Sequence, residues 1–343
     1  MLFFELQALE DSVLFGFHYS TKDAPVRRVC LGLVITHFNR PQEVEKTALR
    51  FKKELLQGPY YEGKIQLIIV DNSRNLPRSL ADEKGIAVIP NRNLGGSGGF
   101  SRGLIHLHHA GDFTHGLFMD DDASSEIESI RRTFFYLTYT HEPKLAIAGA
   151  MLRAVQPNMQ HENGGRFDGL CYPIKCYYNL LLTRDLLRNE QEEPIDYGAW
   201  WYFAFPLQAV KHLAFPYFVR GDDIGFSLAN NFHIMTVNGI SSWQADFSHK
   251  AGPLQIYLDQ RNQIMHFFHG IVKDNRKRKL LKATLTLFVL NSLAYQYESA
   301  RACTLAIYDV LKGPDFWRDN VDMKAKRAEL LALTQQLSLI HIS

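Results

Sequence analysis

The sequence predicts a doubly wound α/β domain. Three observations carry that reading. Apolar, β-rich runs alternate with stretches of helical spacing between residues 29 and 119, the pattern of strands joined by crossover helices. One run ends in three aspartates, Gly116-Leu117-Phe118-Met119-Asp120-Asp121-Asp122, and the exposed carboxyl ends of such strands are where α/β sheets place ligands. A glycine tract, Asn93-Leu94-Gly95-Gly96-Ser97-Gly98-Gly99-Phe100, stands between a strand and a helix.

The elements follow in order. Residues 1–25 read as two short strands with turn chemistry, too few for a domain. Residues 29–36 form the first parallel-sheet strand. Residues 41–56 have helical spacing, with Val44, Ala48, Phe51 and Leu55 on one face. Residues 65–70 are the next strand and 86–89 a third. Residues 100–109 read as a helix and 117–119 as a fourth strand. Ser125 and Glu128 have the spacing of a capping box before the helix that follows.

Composition bounds the classes. The chain has 343 residues, enough for two domains or one domain with appendages, and 46% hydrophobic content supplies a core. A net charge of +2 gives no nucleic-acid signal. Cys30, Cys171, Cys176 and Cys303 lack a zinc spacing and read as reduced thiols in a cytoplasmic protein. The first six residues carry no basic region, so they are not a signal peptide. Residues 283–297 are apolar but interrupted by polar side chains, which predicts a buried helix rather than a membrane span.

Four groups carry chemistry. Alternation sends Asp120 and Asp122 to one side of their strand and Asp121 to the other. Two carboxylates on one side suit Mg²⁺ or Mn²⁺ with a phosphorylated substrate; the alternative is an acidic turn capping the next helix. The glycine tract fits neither G-x-G-x-x-G nor G-x-x-x-x-G-K-[ST]. A glycine-rich turn at a helix start, flanked by asparagines and Arg102, still lets backbone approach a polyphosphate. Trp200 and Trp201 are adjacent, and neighbours on a strand face opposite ways, so one is expected to line a cleft where sugar rings stack. Asp222-Asp223 stands at a predicted helix start. One aspartate suffices as a cap, leaving the other for base chemistry.

Taken in order, Val34-Ile35-Thr36-His37-Phe38-Asn39-Arg40, Val70-Asp71-Asn72, the tract from Asn93 to Gly103, Met119-Asp120-Asp121-Asp122, Trp200-Trp201 with Pro206, and Asp222-Asp223 resemble the inverting family-2 glycosyltransferases of GT-A fold. Within them the chain is most similar to galactofuranosyltransferases that build galactan from UDP-galactofuranose. The resemblance covers about residues 28–270. It implies that Thr36, Arg40, Asp71, Asn93, Gly95, Gly96 and Arg102, with Asp120 and Asp121, hold the UDP-sugar. It implies Asp120 and Asp122 as the ligands of Mn²⁺ or Mg²⁺, Trp200 and Trp201 at the acceptor groove, and Asp223 or Asp222 as general base. The partners implied are a UDP-sugar and a glycan or lipid-linked glycan acceptor. Nucleic acid is not among them, and a homo-oligomer is left open.

The chain departs from the family at Ser242-Trp243-Gln244. Gln244 stands where a metal-binding histidine is expected; its carboxamide oxygen can ligate Mg²⁺ or Mn²⁺, though more weakly than an imidazole holds Mn²⁺, and His249 or Asp246 is the alternative by a local shift. Residues 1–25 read as the tail of a β-rich domain, 26–270 as the GT-A domain and 271–343 as a helical region, with the completeness of the chain left open. The basic run from Lys273 to Lys279 beside an apolar helix suits peripheral contact with the inner face of a membrane. Rival readings are a rhamnosyltransferase, a non-catalytic binding module and a metal-dependent phosphohydrolase. The glycine tract and the tryptophan pair argue against the last.

Overall fold

A computed structural model describes residues 6–15, 20–245, 252–272 and 276–338. The first half runs β1 (Leu31–His37), α1 (Pro41–Phe51), β2 (Ile65–Asp71), α2 (Arg78–Ala81), β3 (Ile86–Pro90), α3 (Gly95–Ala110) and β4 (His115–Asp120). Next come β5 (Ser124–Ser125), α4 (Ile127–Tyr139), β6 (Leu145–Arg153), β7 (Gln156–Glu162), β8 (Gly165–Phe167), β9 (Cys171–Pro173) and α5 (Thr183–Asn189). Then β10 (Phe203–Pro206), α6 (Asp222–Asn230) and β11 (His233–Gln244) complete the sheet region. Helices α7 (Pro253–Phe268), α8 (Arg276–Leu293), α9 (Tyr297–Leu311), α10 (Pro314–Asp319) and α11 (Lys324–Ser338) follow.

The main sheet has the order β3-β2-β1-β4-β10-β6-β11-β5, with β7 beside β6. Strands β3, β2, β1 and β4 are parallel. Strand β10 is antiparallel to both β4 and β6, and β11 runs parallel to β6. The sheet is therefore mixed. Its carboxyl-terminal edge carries Asp71, Asp120 and the turn after β4.

Alternation along the strands feeds a core on each face. Leu33, Ile35, Leu67, Ile69, Leu117 and Met119 pack with α1 and α4 on one side. Val34, Ile68, Val70 and Phe118 pack with Phe100, Leu104 and Phe226 on the other. The glycine tract is not a turn before α3 but its first turn. Gly95 adopts φ +72°, and a Cβ there would lie 2.0 Å from the Phe218 carbonyl oxygen. At Gly99 a Cβ would lie 2.2 Å from Thr36 Cγ2. The missing side chains thus let α3 lie directly on β1.

Other expectations also change. Among the described residues of 6–25 there is no strand. The predicted helix over 41–56 is α1 followed by a π-helical turn, Lys52–Leu56. The capping box is absent: α4 begins after Glu126 with no side-chain cap, because Ser125 sits in β5 and its hydroxyl donates to the Ser241 carbonyl at 2.7 Å. The apolar segment in 283–297 is not a buried helix. Ala283 and Asn291 are buried, but Leu285, Val289, Leu290 and Leu293 are exposed; α7 and α9 pack on α8 and leave these side chains uncovered.

Candidate active site

The strand ends bring their polar residues to one edge, and each aspartate finds a different environment. Asp71 is buried, and its carboxylate accepts from three backbone amides of its own loop: Ser73 (3.0 Å), Arg74 (2.7 Å) and Leu76 (3.2 Å). It orders the loop that follows β2. The neighbouring Asn72 Nδ2 donates to the Gly95 carbonyl at 3.2 Å, and Asn93 Oδ1 accepts from the Gly95 amide at 3.0 Å. The α3 start is thereby tied to the β2 end.

Strand β4 stops at Asp120, so the predicted alternation does not continue through the triplet. Asp121 and Asp122 lie in the turn, and both reach the same guanidinium. Arg40 Nη1 is 2.5 Å from Asp121 Oδ1 and 3.2 Å from Asp122 Oδ2. Asp121 also accepts from the Phe38 amide at 2.9 Å and lies 3.7 Å from His37 Nδ1. Burial works to raise its pKa, but His37, the Phe38 amide and Arg40 outweigh burial and hold it below the usual range. His37 is 0% exposed. Burial lowers its basicity, and bonds to Asp121 and Asn75 more than restore it.

Asp120 faces a second group of acids. Asp223, half-buried at the start of α6, has its pKa raised, first by burial and then by the charges of Glu162 and Asp120. Glu162, at the end of β7, is itself pushed up to about 7 by burial. Asp222 is 7% exposed. Burial and the Asp223 charge raise it, while the Ser97 hydroxyl, 2.9 Å from Oδ2, stabilises its ionised form. Neither aspartate is the side-chain N-cap expected of one of them. That position is Gly221, without a side-chain cap, and Asp223 Oδ1 accepts instead from the adjacent Ile224 amide at 2.8 Å.

The turn into α6 is conformationally costly. Phe218 and Arg220 both have positive φ, 72° and 71°, a region bulky residues avoid. Helix α7 holds it in place. Asn262 Nδ2 donates to the carbonyls of Val219 (2.9 Å) and Arg220 (2.7 Å), Arg261 Nη2 to that of Tyr217 (2.6 Å), and Arg220 pairs with Asp259 at 3.1 Å. Sequence reasoning missed Glu162 and Asn262, and took Ser97 only as part of the glycine tract, not as a partner of Asp222. Glu162 arrives on a strand off the main sheet path, and no spacing in the sequence links these residues to Asp223.

Three expected site residues are placed differently. Trp200 and Trp201 are 5% and 9% exposed, so the expected cleft-lining tryptophan is not found. They sit in a turn before β10, not on a strand, and the turn sends them to opposite faces of the sheet. Trp200 packs on Phe100 and Phe118, while Trp201 Nε1 donates to the Gly149 carbonyl at 2.9 Å. Arg102 is exposed seven residues into α3, about 10 Å along the helix from Gly95, not at the helix start. Thr36 stays at the β1 end, with its hydroxyl buried and unpartnered beside Gly99. Gly96 lies close to Asp222 Oδ2.

The donor chemistry here suits a divalent cation. Magnesium is commonly held by one or two carboxylates plus substrate phosphates, and Asp120 and Asp122 supply two carboxylates at one strand end. Strand β5 pairs with β11 through Ser125–Ser242 and Ser124–Trp243. Gln244 is the last residue of β11, one position past the Trp243–Ser124 pair. Its carboxamide is buried with Nε2 unpartnered. Among the described residues no three His, Cys, Asp or Glu side chains are grouped for a metal. His249 and Asp246, the expected substitutes, lie outside the described residues.

No family model matches the chain. It is similar to galactofuranosyltransferase GlfT2 of Mycolicibacterium smegmatis, 26% identical over 329 residues, covering 87% of this chain and 49% of that protein. It is also similar to galactofuranosyltransferase GlfT2 of Mycobacterium tuberculosis, 28% identical over 339 residues, covering 88% of this chain and 51% of that one. The chain thus spans about half the length of the curated relatives it matches. The resemblance read from the motifs is borne out. Its architecture is similar to the crystal structure of GalNAc-T7 with UDP, GalNAc and Mn²⁺, with a TM-score of 0.51 at 11% identity over 76% of this chain and 51% of that one. That likeness concerns the fold alone, an α/β fold of GT-A type, as expected.

Proposed function

We propose that this chain is an inverting, metal-assisted glycosyltransferase that moves galactofuranose from UDP to a hydroxyl of a glycan or lipid-linked glycan. The similarity to galactofuranosyltransferases supports the donor class. The observation that carries the mechanism is Asp223: a half-buried carboxylate at a helix start, facing Asp120 and Glu162, with its pKa raised. A base of raised pKa takes a hydroxyl proton more readily than an ordinary carboxylate does.

In this reading Asp223 accepts the proton of the acceptor hydroxyl as that oxygen attacks the anomeric carbon and the bond to UDP breaks. Asp222, locked to Ser97, positions it. Arg40 and the backbone around Asn93, Gly95 and Gly96 hold the uridine diphosphate, with Asp71 ordering the loop beside them. Asp120 and Asp122, with Gln244 or His249, would hold Mg²⁺ or Mn²⁺. When bound, such a cation neutralises charge building on the departing diphosphate.

The surface supports a place for the enzyme. Among the described residues no helix is long and apolar enough to cross a membrane. Helix α8 exposes Leu281, Leu285, Leu290 and Leu293 beside Lys277, Arg278 and Lys282. Such a face suits peripheral contact with an anionic leaflet, on the cytoplasmic side where nucleotide sugars would be met.

A calorimetric screen of donors tests the reading. UDP-galactofuranose should bind in the presence of Mn²⁺. Tighter binding of dTDP-rhamnose would move the specificity to a rhamnosyltransferase. Binding of neither would overturn the transferase reading.

A further inference from the structure

A groove of about 1270 Å³ lies away from the acid cluster, between α4 and the segment before β10. Its floor is the first half of β11, His233–Val237. On one side this stretch pairs with β6, in the register His233–Leu145 to Thr236–Ala148. On its other side no strand pairs with it among the described residues, because β5 meets β11 only at Ser242 and Trp243. His233 donates its amide to Lys144 on the β6 side. In a parallel ladder, alternate residues turn their amides and carbonyls to opposite sides. Ile234 and Thr236 therefore present theirs to the groove. An open sheet edge of this kind is a template for another strand.

The walls fit a strand with two different faces. Met235 and Val237 pack toward the core shared with α4, where Phe135 and Tyr139 line the groove. On the opposite wall the buried Lys175 donates to Thr236 Oγ1 at 3.1 Å.

The chain itself offers an occupant. Ser20 and Thr21 line this groove. The backbone is anchored just beyond, where the amides of Val26 and Arg27 donate to the Thr138 carbonyl at the end of α4. The segment leading to it ends Asp11-Ser12-Val13-Leu14-Phe15. Leu9, Val13, Leu14 and Phe15 are 90%, 75%, 64% and 96% exposed. A run of exposed apolar side chains marks a segment that has a surface to cover. Phe15 and Ser20 are five positions apart, a separation that can span at most about 18 Å, more than the length of His233–Val237. Ser20 and Thr21 meet the groove near the start of β11, so a strand running from residue 11 to residue 15 toward that end would be antiparallel to β11. It would extend the column that β5 starts.

We infer that the segment around Asp11–Phe15 adds to the free edge of β11 as an antiparallel strand, with Val13 and Phe15 on one face and Leu14 on the other. The inference is independent of the transferase reading. Hydrogen exchange in the full chain tests it. The amides of Ile234 and Thr236 should be protected, and Leu14→Pro, which removes a ladder donor, should speed their exchange by about tenfold or more. Val13→Asp should do the same, and a peptide of residues 6–15 should restore protection to that variant. Equal exchange of these amides in the wild type and both variants would overturn the inference. Protection that grows with protein concentration, with dimer mass in light scattering, would overturn docking within one chain and assign the strand to a second copy.

Discussion

The Ser97 hydroxyl donates to Asp222 Oδ2 at 2.9 Å, joining the start of α3 to the start of α6. One helix brings the glycine tract and the other brings Asp223. The bond therefore sets the distance between the proposed diphosphate cradle and the proposed base. Ser97→Ala leaves Asp222 buried with one donor fewer. It should lower stability by about 1–3 kcal/mol, read by urea unfolding, and should reduce kcat more than donor affinity.

Glu162 and Asp223 should titrate as neighbours. Burial first, and then the Glu162 charge, raises Asp223, so the activity of the wild type should rise with pH above the ordinary carboxylate range. Glu162→Gln removes that charge, and the acid limb of the kcat profile should move to lower pH. An unmoved limb would separate the two residues.

The same residue has a stability signature. Glu162 is raised to about 7 from 4.5, and its side chain is 12% exposed. A carboxyl raised in the folded state contributes stability below its unfolded pKa and loses it as pH climbs through the folded value. Glu162→Gln should thus be stabilising at pH 8, by on the order of 2–3 kcal/mol, and nearly neutral at pH 5. Unfolding curves at the two pH values decide it.

Gly99→Ala tests how closely α3 lies on β1. The new methyl would meet Thr36 at 2.2 Å, so the helix must lift. A cost of about 1–3 kcal/mol is expected, with weaker UDP binding as the helix start moves away from Asn72 and Asp222. Unchanged unfolding and UDP titration would show that the contact is slack.

Much of this architecture is legible in the sequence. Parallel-sheet strands are apolar throughout, so 29–36, 65–70 and 86–89 stand out, and the acids that end them mark the ligand edge. What escaped has physical causes. Glycine reads as a turn signal, yet at Gly95 and Gly99 its role is to let a helix touch a strand and Phe218. Tryptophan alternation presumes a strand, and Trp200-Trp201 occupies a turn. The α6 start was visible as Asp222-Asp223, but the cap was misassigned because the positive φ of Phe218 and Arg220 cannot be read from their side chains. Glu162, Ser97 and Asn262 join the site only through tertiary packing.

The central claim is that Asp223 removes the acceptor proton in an inverting sugar transfer. Its most direct test follows UDP release and product anomeric configuration by NMR, with UDP-galactofuranose, Mn²⁺ and a galactan acceptor, for the wild type and Asp223→Asn. The account predicts a product of opposite configuration to the donor, with turnover lower by about 10²–10⁴ in the variant and donor binding nearly unchanged. Equal turnover in the two proteins, or a product that keeps the donor's configuration, would contradict it.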